Sequence, residues 1–213
     1  IHTVWVGPAT MPDKERTLFE KNQSILKDYT FKLWDNESIT DILPKSEIIE
    51  NFVSYATAQK KWAFISDLIK VIALVKFGGW AIDADNEIVA PLSPFERMHW
   101  VSGFELWNGK YAPITAVWGA IPYHRFSLWM LNHYLFQTPE HILSMPNTRW
   151  ISHAFIYAGI RTDNPRHFLD VFDFEIFPSQ VFFVPPLPEP TYLLHLSFSS
   201  WVLTMNILHR PYQ

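Results

Sequence analysis

The chain has 213 residues, a formal net charge of −4, 48% apolar residues and no cysteine. That length supports one sizeable core, expected as a single domain over 1–213, and the apolar content excludes broad disorder. The acidic balance gives a nucleic acid no electrostatic footing. The missing cysteines exclude disulfides, thiolate zinc sites and a cysteine nucleophile, and they fit a reducing, cytoplasmic setting.

The chain opens Ile1-His2-Thr3 without a basic-then-apolar leader. No apolar run approaches the roughly 18 residues of a membrane span, so none is expected. Thr3-Val4-Trp5-Val6 is β-branched and apolar and is closed by Gly7-Pro8, which predicts a first strand. A helical pattern follows Pro12, with Leu18, Asn22, Ile25 and Leu26 on related faces, and Phe31-Lys32-Leu33-Trp34 reads as a second strand. Two strands joined by one helix predict a parallel βαβ unit. Ligands of such sheets gather at the carboxyl ends of the strands.

The spacing of Trp62, Ile65, Ile69, Ile72 and Val75 predicts one long helix from about Thr57 to Phe77, with Gly78 as its C-terminal cap. A short buried strand follows from Trp80 to Asp83. Val101 to Trp107 and Tyr111 to Ala120 flank Asn108-Gly109, a dipeptide that favours a tight hairpin turn. Phe126 to Phe136 and Ile151 to Ala158 read as helices. Pro185-Pro186-Leu187-Pro188-Glu189-Pro190 reads as a stiff connection before a last element; a polyproline ligand for a partner domain is the alternative.

The chemistry concentrates in Asp83-Ala84-Asp85. Two carboxylates two residues apart project to the same side of an extended chain, with Cα atoms roughly 6–7 Å apart. A modest turn lets both face one divalent cation. Acids at the end of a buried strand need a partner, because uncompensated buried charge is costly. A hard cation such as Mn²⁺ or Mg²⁺ meets that need, and such ions commonly hold phosphates. Two solvated acids on a turn are the plain alternative.

Four segments, in order, resemble the DXD-containing sugar transferases related to the yeast initiating mannosyltransferase and to the glucosylating domains of large clostridial toxins. They are His2-Thr3-Val4-Trp5-Val6-Gly7; Ala63-Phe64-Ile65-Ser66-Asp67-Leu68-Ile69-Lys70; Phe77-Gly78-Gly79-Trp80-Ala81-Ile82-Asp83-Ala84-Asp85; and His195-Leu196-Ser197-Phe198-Ser199-Ser200-Trp201. The short chain also resembles the N-terminal transferase domain of a larger chlorella-virus protein, so further domains are an expectation. The resemblance implies an α/β GT-A fold with a mainly parallel central sheet flanked by helices. It also implies a metal-dependent glycosyltransferase that moves a sugar from a UDP-sugar donor to a glycan or other hydroxyl acceptor with retention.

Carried onto this sequence, the resemblance makes Asp83, Asp85 and His195 the metal ligands, with Asp85 the more direct carboxylate. Imidazole suits Mn²⁺ better than Mg²⁺. Trp5 would stack on uracil, with backbone contacts from Val4. Asp67 would accept hydrogen bonds from ribose or sugar hydroxyls, and Ser200 and Trp201 would close over the diphosphate. Lys70 stands where the family often has arginine and offers a point charge in place of a planar fork. Ala81 departs from a commonly aromatic position. Glu105, before the hairpin turn, is a candidate contact to donor sugar or acceptor, or a plain surface carboxylate.

Two other functions compete. A haloacid-dehalogenase-like phosphatase would use Asp83 as nucleophile and Asp85 as general acid. That class usually continues with threonine or valine two residues on and needs a late acidic pair; here Asn86-Glu87 follows, and no adjacent Asp-Asp exists. A non-catalytic carbohydrate-binding module would rely on its ten tryptophans and need no metal-bound diphosphate.

Overall fold

The computed structural model describes residues 1–107, 109–157, 159–163, 165–170, 173–183 and 191–195. The predicted βαβ unit is present: β1 (His2–Val4), α1 (Asp13–Ile25) and β2 (Lys32–Trp34), with the two strands parallel and Val4 opposite Trp34. A short α2 (Ile39–Ile42) leads to α3 (Glu47–Ala58) and α4 (Trp62–Phe77).

The expected continuous helix from Thr57 is therefore two helices. Lys60 takes a left-handed φ of 55°, Lys61 N–H bonds Ala56 O at 2.8 Å and Lys60 N–H bonds Thr57 O at 3.0 Å. This is the paired-bond helix stop usually built on glycine, here with a lysine at the left-handed position. Apolar periodicity runs across it because α4 is buried almost all round, from Phe64 to Val75 apart from half-buried Asp67.

After α4 come β3 (Gly79–Ile82), β4 (Asn86–Ile88), a 3₁₀ turn at Ser93–Phe95, and β5 (Trp100–Trp107). The second arm of the expected hairpin is split into β6 (Lys110–Pro113) and β7 (Val117–Ala120). β6 pairs back on β5, whereas β7 lies between β3 and β5, antiparallel to both. Three helices follow, α5 (Arg125–Phe136), α6 (Pro139–Ser144) and α7 (Asn147–Tyr157), then β8 (His167–Leu169), β9 (Phe174–Phe177), α8 (Ser179–Phe182) and β10 (Leu193–His195).

The main sheet has the order β2-β1-β3-β7-β5-β9-β8, with β6 attached to β5. Strands β2, β1, β3, β5 and β9 run one way and β6, β7 and β8 the other, so the sheet is mixed and mainly parallel. Its period-2 alternation sorts the core. Ala81, Trp100 and Trp118 face a cluster with α3, α4, α5 and α7, while Trp80, Ile82, Val101 and Val117 face a second cluster with Phe95 and Phe182. β4 and β10 form a separate two-stranded antiparallel ribbon beyond the end of β3. Among the described residues no helix is long and apolar enough to cross a membrane. The proline-rich segment, Ser200 and Trp201 lie outside the described residues.

Candidate active site

Asp83-Ala84-Asp85 forms a tight turn joining β3 to β4. Asn86 N–H donates to Asp83 O at 3.1 Å, the closing bond of a β-turn. Asp83 N–H and the Asn86 side-chain amide both donate to Ala116 O, each at 2.9 Å, which fastens the turn to the residue before β7. Asp85 is buried, at 6% exposure. Asn86 is wholly buried, and its side-chain oxygen has no hydrogen-bond partner among the described residues.

The buried partner that Asp83 requires is in the chain itself. Lys70 Nζ lies 2.6 Å from Asp83 Oδ1, 2.9 Å from Asp67 Oδ1 and 2.9 Å from Thr115 O. An ammonium has three protons, and these three oxygens take them. The same nitrogen sits 5.1 Å from the centroid of the Trp118 ring. Burial alone would lower the Lys70 pKa, but the Asp67 and Asp83 carboxylates overcome it and hold the group above its ordinary value. Burial pushes the Asp67 carboxyl up, against the pull of Lys70. At 2% exposure Lys70 serves as an internal counter-charge and offers no proton to an outside ligand. Two carboxylates around one ammonium leave an excess negative charge, and Asp83, at 27% exposure, is the member most open to solvent.

Periodicity gives no sign of two further residues. Asn147, at the start of α7, is buried; its Oδ1 accepts from Thr148 N–H at 2.7 Å, and its Nδ2 makes no hydrogen bond among the described residues. Thr148 Oγ1 lies 3.3 Å from Thr115 Oγ1, beside the carbonyl that Lys70 bonds. Thr148 therefore brings the first turn of α7 against the Asp67–Lys70–Asp83 cluster, a contact between segments some 80 residues apart in sequence.

His195 is brought to the turn from the far end of the chain. β10 pairs with β4 so that His195 stands opposite Asn86, one residue past Asp85. Among the described residues no three acidic or histidine side chains group as metal ligands; the His195 side chain lies outside them. The donors present fit a hard divalent ion on the Asp85 side of the turn: a buried carboxylate, a buried amide oxygen without a partner among the described residues, and a strand carrying a histidine alongside. Asp83, with one oxygen on Lys70, fits the role of direct ligand less well.

The other expected residues occupy the carboxyl ends of β1 and β5. Val4 is buried in β1, and Trp5 follows it half-exposed, with its indole N–H on Ala9 O at 3.1 Å. Trp5, Gly7, Thr10, Arg16, Asn36 and Glu37 help line a cleft of about 340 Å³. Asn36 shapes it by bonding Gly7 twice, accepting from its N–H at 3.0 Å and donating to its carbonyl at 2.6 Å. Glu105 is half-buried on β5 opposite Ala112, where β5 pairs only with β6 and has left the main sheet.

Compared by sequence, the chain matches no protein-family model and no curated protein. Compared by structure, it is similar to the PaToxG glycosyltransferase over 73% of this chain and 68% of that one, with a TM-score of 0.53 at 14% identity. It is also similar to a glycosyltransferase involved in the glycosylation of the major capsid of PBCV-1, over 95% of this chain and 96% of that one, with a TM-score of 0.50 at 13% identity. The chain has a glycosyltransferase fold. At these identities the likeness concerns the path of the backbone.

Proposed function

We propose that this chain is a divalent-metal-dependent glycosyltransferase that moves a sugar from a UDP-sugar to a hydroxyl of a glycan acceptor, with retention of configuration. The observation that carries the reading is the Asp83–Asn86 turn. In a glycosyltransferase fold it holds a buried carboxylate, Asp85, at the end of β3, opposite the strand that ends in His195.

Asp85 and His195 would hold the ion, with Asn86 Oδ1 as a further oxygen donor. Mn²⁺ is preferred over Mg²⁺ because imidazole is in the set. Such an ion supplies Lewis-acid stabilisation to a departing diphosphate. Trp5, at the mouth of the cleft after β1, would stack on the uracil ring, with Val4 contributing backbone contacts. Asp67 and Asp83 would accept hydrogen bonds from ribose and donor-sugar hydroxyls through their open edges. Lys70 holds both oriented from behind. Ser200 and Trp201 are proposed at the diphosphate on their sequence resemblance alone, and Glu105 on the acceptor side.

The fold supports this reading over the phosphatase and the carbohydrate-binding module, whose activities need neither a UDP cleft nor a diphosphate ion. The direct test is a screen of UDP-sugars and other nucleotide sugars for slow donor hydrolysis in Mn²⁺ and in chelator. Hydrolysis of at least one UDP-sugar is expected in Mn²⁺ only, abolished by Asp85→Ala. Failure of every nucleotide sugar to be hydrolysed or to bind would refute the assignment.

A further inference from the structure

We propose that Asn22 of α1 is a positioning residue that sets the spacing between β4, which follows Asp85 directly, and the strand β10 that carries His195; this rests on the metal-dependent reading above. Asn22 is a polar residue at 5% exposure on a helix whose other buried residues are Glu15, in the first turn, and the apolar Leu18. A buried amide is costly unless its hydrogen bonds are made. Both of its functions are spent on one strand. Nδ2 donates to Asn86 O at 2.8 Å, and Oδ1 accepts from Ile88 N–H at 2.9 Å.

The carbonyl of one strand residue and the N–H of the residue two further on lie on the same strand edge. Asn22 thus occupies one edge of β4 as a neighbouring strand would. The opposite edge is taken by β10, with Glu87 opposite Leu194 and His195 opposite Asn86. β4 is three residues long and starts directly after Asp85. A strand that short has few ladder bonds of its own, so its position depends on what grips each edge. Lys21, the residue before Asn22, adds an ion pair to Glu87. The path from α1 is short: Asn22 grips the Asn86 carbonyl, Asp85 is bonded to Asn86 on the chain, and His195 faces Asn86 across the ribbon.

Metal–ligand distances tolerate errors of only a few tenths of an ångström. Loss of the Asn22 amide strands two buried backbone groups of β4, and the strand must shift to satisfy them. The ligand pair then changes spacing although neither ligand is touched.

The test uses the whole chain, with Mn²⁺ titrated at fixed saturating UDP and free Mn²⁺ read by its electron paramagnetic resonance signal. Asn22→Ala is compared with Leu18→Ala, a truncation on the same helix that leaves β4 gripped. Melting temperatures in chelator report the purely structural cost of each. The expected result is a Mn²⁺ affinity at least about tenfold weaker in Asn22→Ala than in Leu18→Ala, the range for residues that orient ligands. Asn22→Asp keeps the acceptor for Ile88 N–H and loses the donor to Asn86 O. It is expected to weaken Mn²⁺ binding by at least about threefold, and it carries the test should the alanine variant not fold. Affinities within twofold of Leu18→Ala would overturn the proposal and leave the functional reading standing. Absence of Mn²⁺ binding by the unaltered chain with UDP would overturn both.

Discussion

Lys70 Nζ stands 2.6 Å from Asp83 Oδ1 and joins the middle of α4 to the first residue of the turn after β3. The same ammonium reaches Asp67 at 2.9 Å, so a buried cation is balanced by two carboxylates. Removing one member of such a set strands the others in a poorly solvated place. Lys70→Met is expected to destabilise the chain by about 3–5 kcal/mol in urea unfolding. The double variant Lys70→Met/Asp67→Asn should recover part of that loss, because one stranded charge is gone. If Lys70→Met were as stable as the parent, the ammonium would not be the counter-charge described.

His2 predicts a pH dependence of a definite sign. Trp34 Nε1–H can only donate, and it lies 3.2 Å from His2 Nδ1; Nδ1 is therefore unprotonated and Nε2–H donates to Gly78 O at 3.0 Å. Burial lowers the His2 pKa from 6.5 to about 4. The unfolded chain thus binds more protons than the folded one between those values. The stability contributed by neutral His2 is complete above about pH 6.5 and is lost as pH falls towards about 4, at most about 3 kcal/mol. Urea midpoints measured across that window should fall with pH more steeply in the parent than in His2→Gln. Parallel profiles would contradict the assigned tautomer.

Gly78 caps α4 with a φ of 65°, and a Cβ there would lie 2.6 Å from Pro122 Cδ and 2.8 Å from Ala120 O. Strain and overlap add, so Gly78→Ala is expected to cost at least about 2 kcal/mol. That corresponds to a fall of about 4–8 °C in melting temperature. An unchanged melting curve would mean that the β7–α5 loop does not press on this cap.

Much of this was readable from residue order, and the exceptions have physical causes. The β1–α1–β2 unit, the buried strand before Asp83 and the pairing of distant segments around it follow from apolar patterning and four short motifs. The split at Lys60 was hidden because a left-handed lysine ends a helix without changing the apolar period. The departure of β7 from β6 was hidden because one apolar run, Tyr111 to Ala120, serves two strands with different neighbours. The site departs most at Lys70. Its place in the motif implied a donor contact, whereas its protons are used by Asp67, Asp83 and Thr115. Asn22 acts through tertiary hydrogen bonds, and Thr148 through its contact with Thr115, which leave no periodic trace.

Asp85 and Asp83 are predicted to fail differently. Asp85→Asn removes the charge proposed to hold the ion and leaves the Lys70–Asp83 pair intact, so Mn²⁺-dependent donor hydrolysis should fall at least about 100-fold with a smaller loss of stability than in Asp83→Asn. Asp83→Asn weakens the bond to Lys70 and should lose both activity and stability. Equal stability losses in the two variants would show that Lys70 does not distinguish them.

In the proposed function the Asp83–Asn86 turn holds a divalent ion that binds a nucleotide diphosphate. Calorimetric titration of UDP into the chain, with Mn²⁺ and then with chelator, measures this directly. Binding at least about tenfold tighter with Mn²⁺, with the gain lost in Asp85→Ala, is the predicted result. UDP affinity that ignores both Mn²⁺ and Asp85→Ala would contradict it.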